Sequence, residues 1–243
     1  MSKKVTLYQA LKQSGLFASK EELTNAVNKG RVTVDGIVTK TLQFQFSPIK
    51  RKIFVDNNPI SLTEKRYFVL NKPQAYSCQK NDNYPYVVQL LDIPQEIKNT
   101  LFVIGRLDIP TTGLLIITND GAFGERLTNP KSNIPKTYKI LLKEKVTQGQ
   151  CDALKNGVVI DVQGKDYKTA PATVQPIDER TILLTITEGK YRQVRKMAEA
   201  VGNTVAALMR IQIGNLNLPK NLHEGQWREY SEEEMKDMFS GFF

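Results

Sequence analysis
The amino-acid sequence predicts an α+β protein in two parts, a small domain over residues 1–60 and a larger one over 61–243. Three observations support that reading. Helix-spaced apolar stripes and one hairpin signal crowd into the first part. Strand-like β-branched runs, interrupted by a few short helical segments, fill the second. Between them a polar, turn-rich stretch from Asp56-Asn57-Asn58-Pro59 to Glu64 has the composition of a linker. A chain of 243 residues is long enough for both parts to bury cores of their own.

In the first part, Leu7, Ala10 and Leu11 have helical spacing, and Gly15 can end that turn. Ser19, followed by Glu21 and Glu22, is the expected N-cap of a second helix, with Leu23, Ala26 and Val27 as its apolar stripe and Gly30 as its stop. Residues 31–38 read as a strand, a two-residue Asp35-Gly36 turn and a returning strand. In the second part, residues 66–70 begin a strand that ends at Asn71-Lys72-Pro73, and residues 87–91 are apolar. Residues 101–104 and 114–118 are two β-branched, buried strands, after which Asn119-Asp120-Gly121 suits a tight turn with positive φ. A short helix over 123–127, a strand over 136–142 and a helix over 146–156 ending at Gly157 follow, then strands at 158–162, 172–176 and 181–187. Over 192–201, Val194, Met197, Ala198 and Val201 share one helical face, and Arg192, Arg195 and Lys196 share another. Gly202 caps that helix, residues 205–213 return as a strand, and Ser231 with Glu232, Glu233 and Glu234 starts a closing helix.

Composition narrows the chemistry. No apolar run approaches a membrane span and no hydrophobic signal segment follows Met1, so a cytoplasmic protein without membrane contact is the expectation. Cys78 and Cys151 form no CxxC pair, which fits a reducing compartment and argues against a cysteine-based metal site. His223 is the only histidine, which excludes an HExxH zinc site and disfavours histidine-activated nucleophiles. Catalysis would therefore rest on carboxylate, Tyr, Lys and Arg. The net charge is +9, and residues 1–62 hold 10 Lys/Arg against 4 Asp/Glu, a net +6. Such concentration favours a nucleic-acid partner over a diffusely basic surface. Lys20, Lys29, Arg31 and Lys40 would flank the hairpin and contact phosphates.

Gly105-Arg106-Leu107-Asp108 interrupts the two central apolar runs with charge. In extended chain Arg106 and Asp108 project from one face, so Arg106 is the expected partner that keeps Asp108 ionised. A partly buried ion pair that only fixes a loop explains these residues as well. The cations near the start of the 192–201 helix oppose its dipole, a local cost that suggests an anionic partner.

Two resemblances sharpen this. Residues 3–50, with GRVTVDGIV near their end, resemble the S4 RNA-binding domain, although Ser19-Lys20 replaces the usual Ser-Arg and Tyr8 replaces a small polar residue. Behind them, LNKP at 70–73, GRLDIPTTGLLIITNDG at 105–121, KTY at 136–138 and EGKYRQVRKM at 188–197 are similar, in order, to the motifs of the RsuA-type pseudouridine synthases. That resemblance implies a mixed, mainly antiparallel sheet with helices and a cleft across it. It implies Asp108 as the catalytic nucleophile, Tyr138 as the ring that stacks on the target uracil, Arg195 as the cation paired with the aspartate, and Arg106 as a second cation of the same motif. Lys72, Arg192 and Lys196 join Lys20, Lys29 and Arg31 as expected RNA contacts, with Asn71 and Lys72 supporting the cleft. Isomerisation adds no atom, so neither cofactor nor metal is expected. The implied partner is ribosomal RNA, 16S rather than 23S from the motif forms and the absence of a long basic tail, either free or in a partly assembled small subunit, bound by a monomer. The same chemistry on 23S RNA and a non-catalytic assembly factor are the alternatives. A carboxylate-dependent hydrolase would need a second acid, and only Asp120 stands near.

Overall fold
A computed structural model describes residues 4–80 and 82–242, so residues 1–3 of the expected first domain lie outside it. The chain divides into two compact units. The first runs to Lys65 and includes Leu91–Phe102; the second comprises Arg66–Leu90 and the chain from Val103 onward. A boundary at residue 60 anticipated neither the later end of the first unit nor its inserted piece.

The first unit contains β1 (Val5–Thr6), α1 (Leu7–Ser14), α2 (Lys20–Asn28), β2 (Val32–Val34), β3 (Ile37–Val38), β4 (Gln45–Phe46), β5 (Ile53–Val55), β6 (Asn58–Pro59) and α3 (Gln95–Thr100). Helix α1 starts on a capping box between Thr6 and Gln9. It ends at Gly15, φ 73°, where a Cβ would lie 1.9 Å from the Glu96 carbonyl oxygen, so only glycine fits. Ser19 Oγ accepts the Glu22 N–H at 3.1 Å and so caps α2, as the sequence indicated. Leu7, Leu11, Leu23, Val27, Val32 and Ile53 meet in one core beneath an antiparallel sheet ordered β3-β2-β5-β6. The Asp35-Gly36 hairpin forms. The expected linker at Asp56 is instead a second hairpin. Asp56 and Asn57 both adopt positive φ, 50° and 65°, and join β5 to β6. Asp and Asn tolerate that conformation because their short side chains bond locally, so a polar run that looks like a linker is a turn.

The second unit is built on β7 (Tyr67–Lys72), β8 (Phe102–Ile104), β9 (Thr111–Thr118), β10 (Lys136–Leu142), β13 (Thr173–Pro176), β14 (Thr181–Ile186), β15 (Val205–Ile213), β16 (Leu216–Asn217) and β17 (Trp227–Tyr230), with the separate hairpin β11 (Val159–Val162)–β12 (Lys165–Lys168). The nine-stranded sheet runs β13-β14-β10-β15-β9-β7-β17, with β8 and β16 beside β9 and β15. Every pairing on that path is antiparallel except β9 with β15. This is the mixed, mainly antiparallel sheet that was expected. Strands β7 and β9 are buried at every residue, hence their unbroken apolar runs. Helices α4 (Gly121–Thr128), α5 (Gln148–Lys155), α6 (Gln193–Ala200) and α7 (Glu232–Phe239) complete the unit.

Two local expectations change here. Asn119-Asp120-Gly121 is not a positive-φ turn: Asp120 has φ −86° and its carboxylate accepts the Ala122 and Phe123 N–H groups, capping α4. The same side chain accepts the Tyr67 hydroxyl at 2.8 Å, so Asp120 is a buried structural acid. Strand β12 was not foreseen, because residues 165–168 (KDYK) are polar and take strand form only through pairing with β11.

Candidate active site
One register row crosses five strands: Lys72 on β7, Gly113 on β9, Arg210 on β15, Tyr138 on β10 and Leu184 on β14 are successive Cα partners. A bulge between Thr137 and Tyr138 aims the tyrosine at this point of the ladder. Two inter-strand steps separate Tyr138 from Gly113, about 10 Å across the sheet. Gly113 has φ 103°, and a Cβ there would lie 2.2 Å from the Arg210 carbonyl oxygen. The parallel β9–β15 approach therefore requires glycine.

The loop before β9 carries Asp108, and Lys72 fixes that loop from below. Its side chain is fully buried, with Nζ within 3.0–3.3 Å of the carbonyl oxygens of Pro73, Asp108, Ile109 and Thr111. Burial pulls the Lys72 pKa down, with Cys78, Asp108 and Glu224 opposing that pull. Lys72 is an expected RNA contact from sequence; instead its ammonium is buried and taken up by the loop carbonyls. On the other side of the loop the Leu107 N–H donates to Cys78 Sγ at 3.4 Å. Asn71 Nδ2 donates to the Leu222 carbonyl at 2.8 Å, a supporting role.

The Asp108 side chain remains one-third exposed, at 33 %. Its Oδ2 lies 3.9 Å from Arg195 Nε and 4.0 Å from Arg192 Nε. These separations exceed hydrogen-bond length, so the arginines face the carboxylate as charges without occupying its lone pairs. Arg195 is largely buried and its Nη2 donates to Thr111 Oγ1 at 3.4 Å. Burial lowers the Arg195 pKa, with Asp108 opposing and Arg192 adding to that effect; a guanidinium stays charged regardless.

The expected Arg106–Asp108 pair does not form. Arg106 is exposed, and among the described residues the ion-pair partners of Asp108 are Arg192 and Arg195. Gly105, φ 67°, turns the chain out of β8, and the Thr111 N–H closes a turn onto the Asp108 carbonyl, so the two-residue face relation of an extended strand is lost. Arg192, Arg195 and Lys196 do not share a face either. Arg192 precedes α6 with φ 52° and ψ 30°, outside the helix. Lys196 turns away to the Asp161 carbonyl on β11, 2.6 Å.

Tyr138 is 8 % exposed. Lys20, Lys29 and Arg31 are exposed on the first unit, where Arg31 forms a bidentate pair with Asp56. Sequence reasoning missed Arg210, which is 2 % exposed and donates Nε–H to the Leu114 carbonyl at 2.8 Å. An arginine inside the otherwise apolar run VAALMRIQI was the available signal. No group of three His, Cys, Asp or Glu side chains that could hold a metal gathers among the described residues. The arrangement is that of a part-exposed carboxylate on a loop held by Lys72, with two arginines about 4 Å away. It can act as a nucleophile toward an electron-poor ring or an anomeric carbon.

Comparison with known proteins agrees with this geometry. The family model described as RNA pseudouridylate synthase matches residues 66–200. An RNA pseudouridine synthase of Bacillus subtilis, YtzG, named as uncharacterized, is 37% identical over 233 residues, 94% of this chain and 96% of its own. Ribosomal small subunit pseudouridine synthase A of Salmonella typhimurium is 40% identical over 211 residues, 86% and 89% of the two chains. A crystal structure of a pseudouridylate synthase superposes with a TM-score of 0.69 at 33% identity, covering 96% of this chain and 99% of that one. The match spans the aspartate loop, the tyrosine strand and the paired arginines alike, and the chain belongs to the RNA pseudouridylate synthase family.

Proposed function
We propose that the protein isomerises a specific uridine of small-subunit (16S) ribosomal RNA to pseudouridine, with Asp108 as nucleophile. The observation that carries this reading is the Asp108 carboxylate, part-exposed and facing Arg192 and Arg195 at 3.9–4.0 Å. The choice of RNA is supported by relatives at 34–40% identity that bear the name ribosomal small subunit pseudouridine synthase A. Asp108 attacks uracil C6 or the ribose C1′, the N1–C1′ bond breaks, the ring turns and C5 bonds to C1′. The bond to Asp108 then breaks, C5 gives up its proton and N1 takes one up. Atoms balance without a co-reactant, so no cofactor or metal enters the scheme. Tyr138 stacks on the uracil and accepts or relays the C5 proton, and Arg195 pairs with the aspartate. A uridine in folded RNA must be flipped out to reach this loop. The first unit acts as an S4-like RNA-binding domain, in which Lys20, Lys29 and Arg31 contact phosphates; Arg192 and Arg106 do so near the aspartate. The enzyme works as a cytoplasmic monomer on free or partly assembled small-subunit RNA.

The test is tritium release from transcribed 16S and 23S fragments labelled at uracil C5, with Asp108→Asn in parallel. Release from 16S RNA that is abolished by Asp108→Asn, with RNA affinity kept within a few-fold, is the expected outcome. Release from 23S alone would overturn the choice of RNA. Equal loss of turnover and of affinity in Asp108→Asn would make Asp108 structural.

A further inference from the structure
Arg192 occupies a left-handed backbone conformation immediately before α6, a place that glycine or asparagine usually fills. Something must hold it there. Residues 190–193 form a turn with Arg192 at its third position, and the Gln193 N–H closes it onto the Lys190 carbonyl at 3.1 Å. The Gln193 side chain, 3 % exposed, closes the same turn a second time by accepting the Lys190 N–H on Oε1 at 2.8 Å. Its Nε2 donates to Glu188 Oε1. Glu188 in turn accepts the Tyr167 hydroxyl at 2.6 Å and the Ala170 N–H at 3.0 Å, which anchors it to the chain around β12. The turn is thus closed twice on itself and tied through Glu188 to Tyr167 and Ala170.

We propose that Gln193 is a positioning residue for the reaction. By bridging Lys190 and Glu188 it locks Arg192 in its left-handed state, so that Arg192 Nε, like Arg195 Nε, stands about 4 Å from Asp108 Oδ2. Gln193 touches neither the aspartate nor the substrate and acts only through the turn. This rests on the proposed role of Asp108, which the experiment checks separately. Removal of the clamp lets the turn drop to ordinary backbone angles and swings Arg192 away from the 4.0 Å position.

The test compares Gln193→Met, Gln193→Glu and the double exchange Glu188→Gln with Gln193→Glu. Methionine keeps the volume and loses both bonds. Glutamate alone sets two carboxylates face to face. The double exchange restores the 188–193 bond with its direction reversed, because a carboxamide at 188 donates to a carboxylate at 193, which still accepts from Lys190; it gives up the Ala170 N–H bond that Glu188 Oε1 accepts. Tritium release is expected to show kcat down roughly 100-fold in Gln193→Met with KM within about threefold, and recovery to within about tenfold of the parent in the double exchange. Amide hydrogen exchange over residues 189–195 is expected to quicken at least tenfold, an order-of-magnitude estimate for loss of a closed turn, in Gln193→Met and to return in the double exchange. Parent-like kcat in Gln193→Met, or a double exchange as impaired as Gln193→Glu, overturns the proposal. Unchanged exchange at 189–195 overturns it too, whatever the RNA assay reads. A parent inactive on every RNA, with exchange quickened as stated, would instead overturn the substrate reading alone.

Discussion

Lys72→Met separates the two roles that its position offers. In the structure the ammonium is fully buried and lies within 3.0–3.3 Å of four carbonyl oxygens, three of them in the Asp108 loop. Methionine matches the side-chain length and removes the donor. Each carbonyl left dry costs about 1–3 kcal/mol, so the loss would reach roughly 4–12 kcal/mol if nothing moved. Two effects reduce it. Several kcal/mol of ammonium desolvation are no longer spent, and the loop shifts until water reaches its carbonyls. A net loss of about 3 kcal/mol follows, which in a chain of this size lowers the thermal midpoint by roughly 6–12 °C. The loop shift is the functional consequence, since a displacement of about 1 Å at the reacting group costs on the order of 100-fold in rate. The assay pairs scanning calorimetry with tritium release and RNA binding at several salt concentrations. The expected result is a lowered midpoint and kcat with RNA affinity and its salt dependence unchanged. A variant with parent stability and kcat, but a salt slope smaller by about one, would show that Lys72 contacts a phosphate and would refute the reasoning.

Two further outcomes follow from the geometry. Gly113→Ala places a methyl 2.2 Å from the Arg210 carbonyl oxygen at φ 103°, and should destabilise by roughly 3–5 kcal/mol in urea unfolding; a loss below about 1 kcal/mol would mean that the parallel β9–β15 pair yields easily. Lys29 is exposed at the end of α2, so Lys29→Ala should weaken binding to unrelated RNAs alike and reduce the salt slope by about one; a sequence-selective loss would show that it reads a base.

What could be read from the chain alone follows a physical division. Ser19 as a cap, Gly15 and Gly157 as helix stops, and Asp35-Gly36 as a hairpin turn all depend on atoms within about four residues, so local chemistry identifies them. The buried strands β7 and β9 were equally plain, because a strand covered on both faces is apolar at nearly every position. Asp120 and Asp56-Asn57 were misjudged although they are local. Each residue type suits both turns and caps, or both turns and linkers, and only the neighbouring elements choose. Asp108 stood out in the sequence as a charge between apolar runs, and the motif resemblance named Arg195 as its cation, but that Arg192 rather than Arg106 stands beside it was not legible. Arg195 reaches Thr111 across a separation of 84 residues, and Asp108 in the same loop, because β15 follows α6 and runs parallel to β9. No spacing rule covers such a distance. Sequence by itself determined the α+β class, most strands and helices and the acid set between two apolar runs, since these rest on periodicity and local bonding. Tertiary structure alone decided that Arg192 and not Arg106 joins Arg195 beside that acid, that Lys72 spends its charge on carbonyl oxygens, and that residues 91–102 belong to the first unit, because burial and charge pairing depend on what the folded chain brings into contact.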